Sequence, residues 1–168
     1  PSAAGAGRIV ATVSILCDLR IYSRSRVLHN HIQFGQNNAM KIGAFEVPEP
    51  VPNLRNTRAI AMLRPWIDVG RIGTLALKKL EQHFNAKELG RLARPGTFFD
   101  FTRYRPRMRI VEGTRVFTTP NSIVHYAHDD ETDSDYLFLH LREPHAFGED
   151  YADSIVTLLR HFDVMEYC

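Results

Sequence analysis

Two short apolar runs constrain the fold of this chain most strongly. RAIAMLR (58–64) and DYLFLHLR (135–142) are nearly continuous in apolar residues over the length of one strand. Runs of this kind are typical of strands buried on both faces of a sheet. We therefore expect the two runs to form neighbouring central strands, each followed by a helix at the same edge of the sheet.

Each run is followed by a pattern that predicts an amphipathic helix. Pro65 ends strand pairing after the first run, and Asp68 is suited to cap the helix that follows. Asp150 is placed to cap the second helix. Three- and four-residue spacing predicts the buried face of each helix: Ile72, Leu75, Ala76, Leu80 and Phe84 in the first, and Ala152, Ile155, Val156, Leu159 and Phe162 in the second.

Two further segments between the runs predict strands. AKELGRLA (86–93) would complete a strand–helix–strand unit, whose strands run parallel. RMRIVEGTRVFTTP (107–120) alternates around Glu112–Gly113 and predicts a hairpin. Strands that alternate with helices, together with one hairpin, predict an α/β sandwich with a mixed sheet.

The first 39 residues differ in character from the rest. They show no sustained helical or strand period, so we expect a leader outside the domain, from either a misassigned start or a targeting peptide. The domain would then span 40–168, with EVPEPVPNL (46–54) extended on its surface. FDVMEYC (162–168) looks like the beginning of a strand, and we expect the domain to be incomplete at this end.

Composition excludes several classes of protein. Apolar runs are too short to span a bilayer, and Cys17 and Cys168 favour neither a disulfide framework nor a zinc site, so a reducing cytoplasm is expected. Four arginines and one aspartate give residues 1–39 a net charge of +3, which leaves −1 of the total +2 for the remainder. Overall charge is therefore poor evidence for nucleic-acid binding.

The stretch from AIAMLRPWIDVGRIG through TFFDFTRYRP, followed by DYLFLHLREPH and a helix, resembles the bacterial members of the proteasome assembly chaperone 2 family over about 58–168. The resemblance implies a three-layer αβα sandwich with a mixed, mainly parallel sheet, similar to the phosphorylase/hydrolase-like fold. It also implies association with protein partners or a homo-oligomer. It supplies no agreed reaction and no catalytic residues.

The turn before the first helix is one candidate ligand site. Gly70 and Gly73 leave N–H groups near a helix start, and Arg71 adds positive charge, which favours an anion. Because the spacing matches no phosphate-binding fingerprint, close packing of helix on sheet is the alternative. The candidate ligand-binding residues are Asp68, Gly70, Arg71, Gly73 and Arg103.

A second candidate is the basic segment FFDFTRYRPRMR (98–109). Arg103, Arg105, Arg107 and Arg109 would share one face if they lay on one strand, with Tyr104 beside them. Such a face could bind RNA or an acidic partner. A solvated or subunit-bridging face is the favoured interpretation.

The segment HYAHDDETDSD (125–135) holds metal-ligand residue types. Because no zinc spacing is present, and because such runs before a strand are usually hydrated loops, we expect no metal here and no cofactor.

The corner LREPH (141–145) follows the second apolar run, at the edge of the sheet where ligands commonly bind. Glu143 and His145 are weak catalytic candidates if they converge with Asp100. The favoured function is association with protein. A hydrolase or transferase acting on a small nucleoside- or phosphate-like ligand is the alternative, and RNA binding is a third.

Overall fold

The computed structural model describes residues 38–65 and 68–168. The predicted leader, apart from its last two residues, lies outside the described residues, as does Cys17. Within the described part, nine strands and two α-helices form, with short 3₁₀ helices at Val69–Arg71 and Pro95–Thr97. The strands are β1 (Ala39–Ile42), β2 (Phe45–Pro48), β3 (Arg58–Arg64), β4 (Lys87–Leu92), β5 (Arg107–Val111), β6 (Thr114–Thr118), β7 (Ile123–Asp129), β8 (Ser134–Arg142) and β9 (Glu166–Tyr167), and the helices are α1 (Ile72–His83) and α2 (Gly148–His161).

The two apolar runs are neighbours, as predicted. β3 and β8 pair in parallel, from Arg58 opposite Tyr136 to Arg64 opposite Arg142. They belong to a seven-stranded sheet in the order β1-β2-β4-β7-β8-β3-β9. β3 leads to α1 and β8 leads to α2, so both connections leave the same edge of the sheet.

The sheet is mainly antiparallel, and the prediction of a mainly parallel sheet was wrong. Four of its six pairings are antiparallel, and only β3 with β8 and β3 with β9 are parallel. β1–β2 and β7–β8 are joined by tight turns, which force antiparallel pairing. β4 runs in the same direction as β3, as the strand–helix–strand unit requires, but β8 and β7 lie between them.

The start of the domain contributes two strands that the proline-rich composition concealed. Residues 46–48, predicted to lie extended on the surface, belong to β2, which pairs with β1 and β4. Phe45 and Val47 are fully buried. Alternation over four residues was too short to distinguish a strand from a surface segment.

The sheet separates two helical layers, which confirms the predicted αβα sandwich. Side chains alternate across each strand, so Leu137, Leu139 and Leu141 of β8 face α2, and Phe138 faces α1. The α2 side holds the larger core. It includes Tyr151 and Leu158 of the helix.

The buried face predicted for each helix is right only in part. Of the predicted residues, Leu80 and Phe84 pack against the buried cluster beside α1, and Ile155, Leu159 and Phe162 belong to the larger core or pack against it. In α1 the buried residues are Thr74 and Leu77, while Ile72 and Leu75 are exposed. In α2 the buried residues are Tyr151, Ser154 and Leu158. Asp150 is not the cap of α2: it lies in the first turn, after an N-cap at Phe147. Apolar residues occur on more than one side of each helix, so spacing alone did not fix the buried face.

Candidate functional site: an arginine cleft

The site begins where the two parallel central strands end. Arg64 and Arg142 are the last residues of β3 and β8 and are direct neighbours in register. Both follow the alternation that directs Met62 and His140 toward the α1 side of the sheet. Two guanidinium groups are therefore brought together at the carboxyl edge of the sheet, where ligands of α/β proteins commonly bind.

Five more arginines complete a cleft of about 730 Å³ at this edge. Its size is suited to a small ligand or a short peptide segment. We call it the arginine cleft. It is lined by Arg64, Arg71, Arg103, Tyr104, Arg105, Pro106, Arg107, Arg109, Thr118, Thr119, Pro120 and Arg142.

The β5–β6 hairpin forms one wall of the cleft and is a separate two-stranded sheet. Glu112 and Gly113 have positive φ angles of 50° and 77°, as the predicted two-residue turn requires. Arg107 and Arg109 alternate along β5 toward the cleft, and Thr118 lies opposite Arg107. Of the basic segment, only Arg107 and Arg109 therefore share a strand face; Arg103 and Arg105 precede β5 and line the cleft without lying on the strand.

Positive charge in the cleft is poorly compensated. Among the described residues, Arg103 alone of the seven arginines lies within 4.0 Å of a carboxylate oxygen, at 3.9 Å from Asp100. The acidic residues 129–135 lie at the opposite end of β8 and cannot neutralise it. The Nε atom of Arg64 is buried with no hydrogen-bond partner in the described part of the chain.

Arg142 is held in the cleft by neutral groups. Its Nε donates to the backbone oxygen of Asn121 at 3.1 Å, and its guanidinium lies 5.4 Å from the centre of the Tyr104 ring. Burial lowers the pKa of Arg142 from its ordinary value, and the charge of Arg64 lowers it further. The cleft thus holds like charges close together in a partly desolvated place, an arrangement that a bound anion would stabilise.

The glycine turn that precedes α1 is only partly at the cleft. Asp68 accepts hydrogen bonds from the backbone N–H of Thr74 at 3.1 Å and from its hydroxyl, so its carboxylate satisfies an N–H of the first turn, although the N-cap residue of α1 is Arg71. The Thr74 hydroxyl is the main cause of the lowered pKa of Asp68. Asp68 also borders a small cavity of about 200 Å³ beside the cleft.

The two glycines have structural roles. A Cβ at Gly73 would lie 1.8 Å from Cε of Met62, so Gly73 leaves room for the end of the Met62 side chain between α1 and β3. Gly70 adopts a φ of 64° and Arg71 a φ of 62°. This left-handed turn places Arg71 in the cleft. Neither glycine lines the arginine cleft or the small cavity beside it.

The weak catalytic candidates converge only in part. His145 Nδ1 accepts a hydrogen bond from the backbone N–H of Asp100 at 3.0 Å, and both residues line a second cavity of about 330 Å³ with Arg103. Hydrogen bonds from the hydroxyl and N–H of Thr102 lower the pKa of Asp100. Glu143 lines neither this cavity nor the cleft; its backbone bonds to Arg64 and Tyr104.

Residues 125–135 are divided between two places. His128 Nδ1 lies 2.8 Å from Asp135 Oδ1, and Asp129 accepts hydrogen bonds within its own turn from Glu131 and Thr132. His125 instead points toward α1. Sequence reasoning missed Arg64 and Arg142 as site residues, although an arginine at the end of each apolar strand was the pattern that could have identified them.

The PAC2 family model matches residues 62–168, more than half of the chain. The chain belongs to the PAC2 family. The match includes the end of β3, all of β8, both helices and the whole lining of the arginine cleft. No curated protein matches the sequence significantly.

Solved structures share the fold at low sequence identity. A PAC2 family protein from Streptomyces avermitilis is 18% identical with a TM-score of 0.62, over 66% of this chain and 47% of that one. A proteasome-assembly chaperone homologue from Mycobacterium tuberculosis is 18% identical with a TM-score of 0.60, over 66% and 47%. A Mycobacterium tuberculosis protein of unknown function is 19% identical with a TM-score of 0.63, over 76% and 46%.

This chain therefore spans about half the length of these solved relatives. At such identities the similarity establishes the fold and carries no residue roles. Neither α1 nor α2 has the length and apolar character that crossing a membrane would require.

Proposed function

We propose that this PAC2-family chain acts by protein association, in a chaperone-like or assembly-like role in the cytoplasm. In this proposal the arginine cleft binds an acidic segment of a protein partner. The observation that carries it is the convergence of seven arginines in a cleft lined by no carboxylate. Clustered guanidinium groups bind carboxylates through paired, charge-assisted hydrogen bonds.

The hairpin that forms the cleft wall also favours a protein partner. Its outer face presents Met108, Ile110 and Phe117, which are 51%, 69% and 64% exposed. Met108 and Phe117 are directly opposed across the two strands. A two-stranded sheet is marginal by itself. Arginines on the cleft face and exposed apolar side chains, together with Arg115, on the outer face suit a macromolecular contact better than a small ion.

The comparisons are compatible with this proposal. One structural neighbour is named as a proteasome-assembly chaperone homologue. Association with a proteasome subunit is not proposed for this chain. What supports an acidic partner is the charge of the described cleft, and a homo-oligomer would use the apolar outer face of the hairpin.

The test is a binding measurement with matched charge reversals. A fluorescein-labelled polyglutamate peptide is titrated with the unmodified protein, with an Arg107→Glu/Arg109→Glu variant, and with Arg115→Glu. Arg115 lies on the same hairpin but outside the cleft lining. We expect the double variant to bind at least about tenfold more weakly, because paired guanidinium–carboxylate contacts are lost.

Arg115→Glu should bind as the unmodified protein does. An equal loss in Arg115→Glu would show that only general charge matters and would contradict the proposal. So would tighter binding of a labelled single-stranded RNA than of polyglutamate at the same ionic strength, since that outcome favours the RNA alternative. Sedimentation of each variant identifies any change in oligomeric state.

A small-ligand enzyme remains the second candidate because Arg103 lines both the arginine cleft and the Asp100–His145 cavity. Because His145 Nδ1 accepts a hydrogen bond from the backbone, only Nε2 is left to hydrogen-bond a ligand. Asp100 is a weak base because Thr102 engages its carboxylate. Phosphatase activity toward a nitrophenyl ester that is lost in His145→Ala would favour this candidate over association.

A further inference from the structure

We propose a divalent transition-metal site formed by Glu81, His125 and His140, which we call the His–Glu cluster. It is separate from the arginine cleft and from the acidic turn at 129–135. Its ligands come from α1, β7 and β8, so the fold brings them together from three elements. The sequence analysis predicted no metal, because 44 residues separate Glu81 from the nearer histidine and no local spacing reveals the cluster.

The three ligand atoms lie close together, with both histidine nitrogens beside one carboxylate oxygen. His140 Nε2 lies 2.6 Å and His125 Nδ1 lies 2.9 Å from the same oxygen, Oε1 of Glu81. One ligand atom from each residue lies within 4.8 Å of the other two. Donors around a tetrahedral zinc ion, at about 2.0–2.1 Å from it, lie about 3.3 Å apart. Small side-chain rotations would therefore admit an ion.

One nitrogen in the cluster lacks a partner. His125 Nδ1 is buried, and its approach to Glu81 does not have the orientation of a hydrogen bond, so no partner satisfies it among the described residues. Unsatisfied buried polar atoms are uncommon and call for an explanation. A nitrogen lone pair directed at an ion shared with Glu81 and His140 supplies one.

Burial is suited to a metal centre. The side chains of Glu81 and His140 are 15% exposed and that of His125 is 25% exposed. This leaves a route for an ion to enter while water is largely excluded. Glu81 also stands four residues after Leu77 and three before Phe84, on the packed face of α1. A carboxylate in that position is costly unless it is paired.

The ligand set indicates the class of ion. Two imidazoles and one carboxylate suit zinc and its neighbours in the first transition series. Three protein ligands leave a fourth position open, as in zinc sites that bind water. The alternative is a hydrogen bond between Glu81 and His140 that only anchors α1 to the sheet.

The decisive experiment is addition of Co²⁺ to the metal-free protein, followed by visible spectroscopy. We expect tetrahedral d–d absorption bands that saturate at one ion per chain and disappear on addition of Zn²⁺. His125→Ala and Glu81→Gln should each abolish the bands. His128→Ala is the matched control. His128 also lies on β7 and is paired with a carboxylate, that of Asp135, but it is outside the cluster.

A thermal measurement keeps the proposal testable if a variant folds poorly. Zn²⁺ should raise the melting temperature of the unmodified protein and of His128→Ala, because a ligand that binds only the folded state stabilises it. Absence of both the bands and the Zn²⁺ shift in the unmodified protein would overturn the proposal and leave the helix-anchoring role. Loss of the bands in His128→Ala equal to that in His125→Ala would also overturn it.

Discussion

The two faces of the central sheet have opposite characters. On the α2 side, fifteen buried residues of the described chain form one apolar core. On the α1 side only Leu77, Ala127 and Phe138 are buried apolar residues of a second cluster. Beyond them on that side, His140 pairs with Glu81 beside the apolar Met62, and Arg64 and Arg142 follow at the edge of the sheet.

Strand β8 shows how one sequence builds both faces. Its alternate residues Leu137, Leu139 and Leu141 supply the dry side, while Phe138, His140 and Arg142 supply the other. Because the side-chain period of a strand is two, stabilising and binding residues can be interleaved without conflict. The α2 side of the sheet therefore supplies most of the buried apolar core, whereas the α1 side carries the polar groups of the two candidate sites.

The largest expected change in stability tests the apolar core on the α2 side of the sheet. Leu139 is fully buried, so Leu139→Ala should lower the free energy of unfolding by about 2–5 kcal/mol. Leu75→Ala, at an exposed position of α1, should change it by no more than about 0.5 kcal/mol. Urea denaturation measures both. Similar losses in the two variants would contradict the assigned faces.

The next effect tests how closely α1 approaches the sheet. Gly73→Ala places a Cβ against the flexible end of the Met62 side chain, which can move, so it should cost no more than about 1 kcal/mol of unfolding free energy. Gly148→Ala, at the start of α2 with only Pro144 at 3.9 Å, is the control and should be nearly neutral. If Met62 causes the penalty, the penalty should shrink in a Met62→Ala background, which a double-mutant cycle measures.

A smaller change in the free energy of unfolding, of opposite sign, is expected for a substitution in the arginine cleft. Arg142→Met removes a partly buried charge beside Arg64 and keeps much of the side-chain volume. Stability should therefore hold or rise slightly, while binding of the acidic peptide weakens. Denaturation and fluorescence titration of the same sample separate the two quantities. A clear loss of stability would show that the hydrogen bond of Arg142 to Asn121 and its cation–π contact with Tyr104 outweigh the repulsion between Arg142 and Arg64.

The smallest effect lies at the other end of β8. The hydrogen bond to Asp135 raises the pKa of His128 above its ordinary value. The stabilisation from this pair is therefore fully present below the unfolded pKa of about 6.5 and is lost as pH rises through the folded pKa. Melting temperatures from about pH 5 to about pH 8 should fall more in the unmodified protein than in His128→Asn. Equal pH dependence of the melting temperature in the two proteins would show that the His128–Asp135 pair does not contribute to it.

Local sequence predicted the elements better than their arrangement. The apolar runs, the hairpin turn at Glu112–Gly113 and both helices follow from short-range patterns. The mainly antiparallel pairing of the sheet did not follow from them, because the missed strands β1 and β2 are short and most of β7 was interpreted as a loop. The cleft arginines 103–109 were visible as a segment, but Arg64 and Arg142 join them only through the pairing of β3 with β8.

The sequence by itself determined which segments can be buried, since hydrophobic periodicity is written in neighbouring residues. It also determined that a turn must follow Val111 and that Asp68 can cap a helix. Tertiary structure alone decided which charges meet. Glu81, His125 and His140 become neighbours because α1 packs over the face of the sheet that carries both histidines. Arg64 and Arg142 meet because two parallel strands end at one edge, where the turn before α1 and the segment 103–109 bring five more arginines. Whether a side chain is buried depends largely on its own chemistry and its near neighbours in sequence. A site depends on the distances between side chains that are far apart in sequence, and only the tertiary fold sets those distances.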